Sequence, residues 1–150
     1  MAQVVVESLL ENPLFGVYSF YASILVLKMM FMSILTGMTR INNKAFVNPE
    51  DAKAMKGKVK VDENVERIRR AHQNDLENIP IFLFVSFIYV LTNPSVGLAT
   101  YLIRSFTIAR ILHTIVYAII VIPQPARGLS FGVGLFITGY MAVMNLFYFL

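Results

Sequence analysis

RIRRAHQNDLENIPIFLFVSFIYVL, residues 67–91, joins a dense polar cluster to a strongly apolar run without a break. The apolar part begins at Ile79 and holds about 13 residues, whereas a helix that spans a bilayer needs roughly 20. The segment from about His72 onward must therefore supply the missing length at bilayer depth. His72, Asp75 and Glu77 are then expected inside the membrane, where ionisable side chains are costly and usually mark a functional site.

The composition of the rest of the chain indicates an integral membrane protein. Hydrophobic residues make up 57% of the 150 residues and charged residues only 15%, whereas soluble domains carry about 25% charged residues. Nearly continuous apolar character leaves no room for a second, soluble domain. We therefore predict an all-α integral membrane fold, a single four-transmembrane-helix bundle over residues 1–150. The four predicted spans are about 14–39, 71–91, 96–122 and 128–150.

The charge distribution predicts the topology. The net charge is +4, and basic residues crowd the connection between the first two spans, about 41–62. The positive-inside rule makes this loop cytoplasmic and, with four spans, puts both termini on the opposite, lumenal side. Glu7 and Glu11 stand where a secretory signal would carry basic residues, so we expect the N-terminus to be retained. The lysines concerned are Lys44, Lys53, Lys56, Lys58 and Lys60.

Several functional classes are disfavoured by what the sequence lacks. The chain has no cysteine, which excludes disulfides, thiolate metal ligands and a nucleophilic protein thiol. It has two histidines, and they are not spaced as a ligand pair, so no metal site is expected. No nucleic-acid-binding motif accompanies the basic loop, so we expect no nucleic-acid partner.

Local signals predict how the first helix and the loop begin. Asn12 and Pro13 suit the cap and the first turn of a helix, and Lys28 falls near the middle of that helix. A lysine at this depth needs an acidic partner on another helix, and Asp75 and Glu77 are the candidates, for a structural ion pair or for a site. In the loop, Asp51 is predicted to cap a short helix rather than to do chemistry.

Polar side chains recur at helical spacing on the second and third spans. Each set occupies one sector of its helix, so we predict that the two polar stripes face a shared cavity. Arg104 faces away from its stripe and is predicted to be an interfacial anchor or to have a partner on another helix. The first stripe consists of Arg67, Arg70, Asn74 and Glu77, and the second of Arg110, His113 and Tyr117.

The last connection, residues 123–128, reads PQPARG and places Arg127 at the start of the fourth helix. Gly128 and Gly132 are spaced for close contact with another helix or subunit. At membrane depth the cations Lys28, Arg70, Arg110 and Arg127 outnumber the acids Asp75 and Glu77. An anionic ligand would balance this surplus, so the site is predicted to join a water-borne anion to a membrane-borne partner molecule.

These segments resemble the membrane-associated eicosanoid and glutathione metabolism family over nearly the whole chain. The resemblance implies a homotrimer of four-helix subunits in which glutathione binds between neighbouring subunits near the cytoplasmic side. It also implies that Arg127 is the catalytic residue, nearest the glutathione sulfur. The implied glutathione-binding residues are Arg40, Arg70, Asn74, Glu77, His113, Tyr117 and Arg127. The segments that carry the resemblance are NPED at 48–51, VERIRRAHQNDLEN at 65–78, ARILHTIVY at 109–117 and PQPARGL at 123–129.

Within the family, the resemblance is strongest to the microsomal glutathione transferase branch. The prostaglandin E synthase branch has Ser where this chain has Gly128, Tyr at Phe131 and Arg at Gln73. Some transferase relatives carry a loop cysteine shortly after the Asn-Pro-Glu-Asp segment, but this chain has none, so activation by thiol modification is not expected.

The implied function is detoxification by a transferase that conjugates glutathione to lipophilic electrophiles and reduces lipid hydroperoxides. The endoplasmic reticulum membrane is the expected location, with the mitochondrial outer membrane as second candidate. A glutathione-dependent eicosanoid synthase and a non-catalytic lipid-binding adaptor of the same fold are the alternatives.

Overall fold

The computed structural model describes residues 9–150, and four helices in it are long and apolar enough to cross a membrane. They are α1 (Pro13–Asn42), α3 (Glu63–Leu91), α4 (Val96–Thr114), which continues as a π-helical segment (Ile115–Ile119), and α5 (Ala126–Phe149). These bounds confirm the four predicted helices. Glu7, on which the expectation of a retained N-terminus depends, lies outside the described residues.

Side-chain caps set where α1 and α3 begin. Asn12 Oδ1 accepts a hydrogen bond from the Leu14 amide at 2.9 Å, and Pro13 occupies the first turn of α1, as the sequence predicted. Asp62 caps α3 by accepting from the Asn64 and Val65 amides at 3.1 and 3.2 Å, and the same carboxylate also accepts from Asn43 Nδ2 at 2.9 Å. The hydrogen bond from Asn43 is the main reason why the pKa of the Asp62 carboxyl lies below its usual value of 3.8. The cap is therefore intact at neutral pH and is lost only as the pH falls through that lowered pKa.

The connection between α1 and α3 contains a short helix, α2 (Pro49–Ala54), between two short strands that pair in parallel, β1 (Ala45–Phe46) and β2 (Lys58–Val59). The strands are a departure from the all-α prediction that is confined to this loop.

The prediction that Asp51 caps α2 is wrong. Asn48 is the capping residue, and its side-chain amide donates to the Asp51 carboxylate at 3.0 Å, because Pro49 starts the helix one residue after Asn48.

The bundle core is centred on an aromatic pair between α3 and α4. The rings of Phe82 and Phe106 stack with their centroids 3.5 Å apart. Gly134 of α5 packs against Phe106, and a Cβ there would lie at ordinary van der Waals distances, 3.4 Å from the Phe106 ring and 3.7 Å from Cδ of Arg110. The close helix contact within this chain is thus made by Gly134 and not by the predicted pair, because a Cβ at Gly132 would meet nothing within 4 Å in the part of the chain that the structure describes.

Polar groups tie the helices together at lipid depth. Arg104 Nε donates to the Tyr21 hydroxyl of α1 at 2.9 Å, so of its two predicted roles the inter-helix contact is the one observed. Tyr18 donates to the Leu83 carbonyl at 3.1 Å, and Asn145 Nδ2 donates to the Val85 carbonyl at 3.0 Å. The first of these contacts joins α4 to α1, and the other two fix α1 and α5 against α3, the helix that carries the first polar stripe.

Candidate functional site

A polar cavity of about 450 Å³ opens where the N-terminal half of α3 faces the π-helical segment and the start of α5. This volume is within the range of about 300–1,000 Å³ that is typical of small-ligand sites. Six of the seven residues that the resemblance implied line it. The lining consists of Arg70, Gln73, Asn74, Glu77, His113, Tyr117, Gln124, Arg127, Gly128 and Phe131.

Helix α3 supplies one wall of this cavity through its polar stripe. Arg70, Asn74 and Glu77 are four and three residues apart, so they point the same way from an α-helix. Glu77 accepts a hydrogen bond from Gln73 at 3.2 Å, and Arg70 is paired with the exposed Glu63 at 2.7 Å. Arg67, the first member of the predicted stripe, does not line the cavity.

The second wall comes from the end of α4 and the π-helical segment. The Ile120 amide donates to the Ile115 carbonyl at 2.7 Å, a bond that spans five residues and widens the helix around Tyr117. The His113 ring meets the Tyr117 ring edge to face, with centroids 5.6 Å apart. His113 is 2% exposed, and its Nδ1 has no hydrogen-bond partner among the described residues. A buried nitrogen without a partner is uncommon, and here it belongs to a residue of the cavity wall.

The first turn of α5 brings a cation to the same cavity. Cζ of Arg127 lies 4.5 Å from the centroid of the Tyr117 ring, a cation–π contact that holds the guanidinium in place. Gln124 Oε1 accepts from the Gly128 amide at 3.0 Å and so caps the helix start.

Four lining residues were not predicted: Gln73, Gln124, Gly128 and Phe131. Gln73 follows Arg70 by three residues, and Phe131 follows Arg127 by four, so helical spacing from a predicted member could have found both. Gln124 gave no such signal, because it lies before α5 and reaches the cavity only through the fold of the connection.

Arg40 is the one implied residue that lies elsewhere. It lines a separate cavity of about 540 Å³ between α1 and α3, together with Arg69 and His72. The two cavities share Arg70 and Gln73, so they lie on adjoining faces of α3. Arg40 therefore does not line the first cavity of this chain.

Behind the cavity wall lies a buried ionic cluster of Lys28, Asp75 and Arg110. Lys28 pairs with Asp75, which confirms the prediction of an acidic partner and selects Asp75 over Glu77. Arg110 Nη2 donates to the other carboxylate oxygen at 2.6 Å. Arg110 is fully buried and does not line the cavity. Of the predicted stripe of the third span, Arg110 therefore belongs to the ionic cluster, whereas His113 and Tyr117 line the cavity.

The charges that line the cavity suit a ligand of mixed charge. The guanidinium groups of Arg70 and Arg127 can each bind a carboxylate, and the carboxylate of Glu77 can bind an ammonium group. Asn74 and Tyr117 add uncharged hydrogen-bonding groups. The cavity is therefore complementary to a small molecule that carries two negative charges and one positive charge.

Comparison with known proteins agrees with this architecture. The model of the MAPEG family matches residues 18–147. Microsomal glutathione S-transferase 1 of Mus musculus is 46% identical over 142 residues, and that of Homo sapiens 44% over 139 residues, covering 91% and 89% of each chain. Human prostaglandin E synthase is 37% identical over 110 residues, 72% of each chain. With its four apolar helices and a match over most of its length, the chain belongs to the MAPEG family.

Proposed function

We propose that this protein is a membrane-bound glutathione transferase that conjugates glutathione to lipophilic electrophiles. The observation that carries the proposal is the meeting of Arg70, Asn74, Glu77, His113, Tyr117 and Arg127 around one cavity at the polar end of an apolar bundle. The similarity to microsomal glutathione S-transferase 1 over about nine tenths of the chain supports the same activity.

Glutathione fits the charges of the cavity. It carries two carboxylates and one ammonium group at neutral pH, which match the two arginines and the single glutamate of the lining. The ring of His113, which also lines the cavity, adds a further polar side chain to the wall. Three elements supply these groups, so the ligand would be held from several sides.

When bound, glutathione supplies the thiol sulfur that forms the new bond to carbon of the electrophile as the leaving group departs. The role that we assign to Arg127 is to stabilise negative charge at that sulfur. Two positive features act there together, the guanidinium and the N-terminal end of α5, where the helix dipole is positive. Tyr117 holds the guanidinium in position through the cation–π contact.

The second substrate would come from the bilayer. The same site is proposed to reduce lipid hydroperoxides, in which two glutathione molecules are oxidised to the disulfide while the hydroperoxide becomes an alcohol and water. The test is to assay the purified protein with glutathione and an aryl halide, a lipid hydroperoxide or a prostaglandin endoperoxide. Conjugation of the aryl halide is expected. Glutathione binding without turnover of any of them would favour a lipid-binding adaptor and contradict the proposal.

Prostaglandin endoperoxide isomerisation is the second candidate, since human prostaglandin E synthase is a relative at 37% identity. That relative covers less of the chain than the transferases do. Position 128 also differs, because glycine stands where that branch has serine, and a Cβ there would lie 3.1 Å from Gln124 Oε1. Turnover of the endoperoxide faster than of the aryl halide would reverse the order of the two candidates.

The position of Arg40 supports a homotrimer with glutathione sites between subunits. Arg40 lies outside the cavity of its own subunit, on the adjoining face of α3. We propose that it reaches glutathione in the cavity of a neighbouring subunit. Cross-linking in detergent and in membranes should give a trimer as the largest species.

Arg70→Ala and Glu77→Ala are each expected to weaken glutathione binding about tenfold or more, since a hydrogen bond to a charged group contributes roughly 1.5–3 kcal/mol. Affinity would be measured by calorimetry on assembled protein. Arg67→Ala is the matched control, because Arg67 is on the same helix but outside the cavity. Unchanged glutathione affinity in both cavity variants would mean that Arg70 and Glu77 do not bind glutathione.

We propose that the loop of about 41–62 faces the cytoplasm and that both termini face the lumen of the endoplasmic reticulum. The choice of this membrane is supported by the microsomal relatives. Protease added to sealed microsomes should cut at the exposed lysines of this loop, such as Lys53 and Lys56. Cleavage only after detergent would reverse the orientation.

A further inference from the structure

Arg110 is a fully buried arginine on α4 that contacts two consecutive residues of α3. Its Nη2 donates to Asn74 Oδ1 at 2.7 Å and to Asp75 Oδ1 at 2.6 Å. One of these two acceptors lines the glutathione cavity and the other does not. The guanidinium therefore connects the buried ionic cluster to the wall of the cavity.

This contact determines which end of the Asn74 amide faces the cavity. A guanidinium group only donates hydrogen bonds, so the atom of Asn74 that meets it must be the oxygen. The amide NH₂ is the other end of the same planar group. With the oxygen held at 2.7 Å, the NH₂ is the end left to face the cavity, as a donor suited to a carboxylate or a carbonyl.

The cluster holds Arg110 rigidly in this role. Lys28 occupies one oxygen of Asp75 and Arg110 the other, and the side chains of Lys28, Asp75 and Arg110 are 9%, 0% and 1% exposed. The stem of Arg110 packs beside Gly134, where a Cβ would lie 3.7 Å from Cδ, an ordinary van der Waals distance. Nη2 makes both hydrogen bonds, while Nε and Nη1 have no partner among the described residues, so these two bonds and the surrounding packing hold the side chain.

We propose that Arg110 is a positioning residue of the glutathione site, which acts by orienting Asn74 so that the NH₂ group donates to bound glutathione. The inference deepens the function proposed above and depends on it. Arg110 itself does not touch the ligand. Its effect on glutathione binding passes through the side chain of Asn74 alone.

Arg110→Met tests the proposal without leaving an unpaired charge. Two cations share one carboxylate, so removal of either leaves a neutral pair, here Lys28 with Asp75. The loss of the hydrogen bond frees the Asn74 amide to rotate. Glutathione affinity measured by calorimetry should fall roughly three- to tenfold, the equivalent of one hydrogen bond.

Lys28→Met is the matched control. It removes one positive charge from the same cluster and leaves the contacts of Arg110 with Asn74 and Asp75 in place. Glutathione affinity should stay within about twofold of that of the wild-type protein, because Lys28 contacts neither Asn74 nor the cavity. Equal losses in Lys28→Met and Arg110→Met would mean that the charge of the cluster matters and not the orientation of Asn74, which would overturn the proposal.

A double-mutant cycle separates orientation from general damage to the fold. In an Asn74→Ala background, Arg110→Met should cause no further loss of affinity, because the group that it positions is already absent. A loss as large as in the wild-type background would mean that Arg110 acts by another route. Thermal unfolding in detergent, recorded for each variant, shows whether the assembled state is retained.

Asn74→Asp keeps the proposal testable if Arg110→Met does not assemble. The carboxylate still accepts from Arg110, so assembly should be retained, but it has no NH₂ to offer the ligand. Glutathione affinity should fall about tenfold or more. Wild-type affinity in this variant would overturn the inference. Failure of the wild-type protein itself to bind glutathione would instead overturn the proposed function, so the two failures are distinguishable.

Discussion

Arg127→Ala is expected to raise the pKa of the thiol of bound glutathione and to lower conjugation near neutral pH by roughly 100-fold, the scale of losing one group that stabilises a developing anion. The physical reason is electrostatic. The guanidinium of Arg127, which lies beside the Tyr117 ring, is a positive charge next to the position that we propose for the glutathione sulfur. Without the guanidinium, the thiolate form of glutathione is less stable while the uncharged thiol form is little affected, so the pKa of the thiol rises. Activity should partly recover as the pH rises, because hydroxide then removes the proton unaided.

The thiolate can be followed by its ultraviolet absorbance while glutathione is titrated into the protein at a series of pH values. Arg127→Lys should restore only part of the effect, since a point charge lacks the planar group that stacks on Tyr117. Arg104→Ala is the control, because it removes a cation from α4 outside the cavity. An unchanged thiol pKa together with lost turnover would mean that Arg127 acts on the electrophile or the leaving group.

Asp75→Leu is expected to be the most destabilising single substitution in the buried cluster. It leaves Lys28 and Arg110 close together in the bundle core without an anion between them. Removing one partner from a buried ion pair costs about 3–5 kcal/mol, and here two cations lose the same partner. The yield of assembled protein and its thermal unfolding midpoint in detergent should both fall sharply.

Glu66→Leu is the matched control for this substitution. Glu66 is paired with Arg69 at 2.8 Å on the same helix, but Arg69 is half exposed and the pair is solvated. Such surface pairs contribute about 0–1 kcal/mol, so the unfolding midpoint should barely change. Equal midpoints for Asp75→Leu and Glu66→Leu would show that the buried cluster does not stabilise the bundle.

Local sequence signals were sufficient for the helices and for part of the site. Four apolar runs of spanning length predict four helices, because hydrogen bonding within each helix is the only way to satisfy its backbone in lipid. The start of α1 follows from Asn12 and Pro13, which act within a single turn. The common face of Arg70, Asn74 and Glu77 follows from the 3.6-residue period of the helix.

The signals failed where a residue's role depends on a neighbouring element. The strand pair of the loop joins residues far apart in sequence, and the capping role of Asn48 depends on where Pro49 starts the helix. The glycine spacing of α5 indicated a contact, but Gly134 makes the close one inside this chain. Periodicity predicts which residues share a face and does not predict what that face will meet.

Composition and periodicity were enough to predict the class of protein, its four helices and the polar stripe of α3, since both are properties of single segments. The folded bundle was needed to show that Asp75 rather than Glu77 pairs with Lys28, and that Arg110 is buried behind the cavity while Arg127 lines it. The reason is geometric. The rotation of each helix about its own axis, and its choice of neighbours, come from side-chain packing across the whole bundle, which no single segment of sequence specifies.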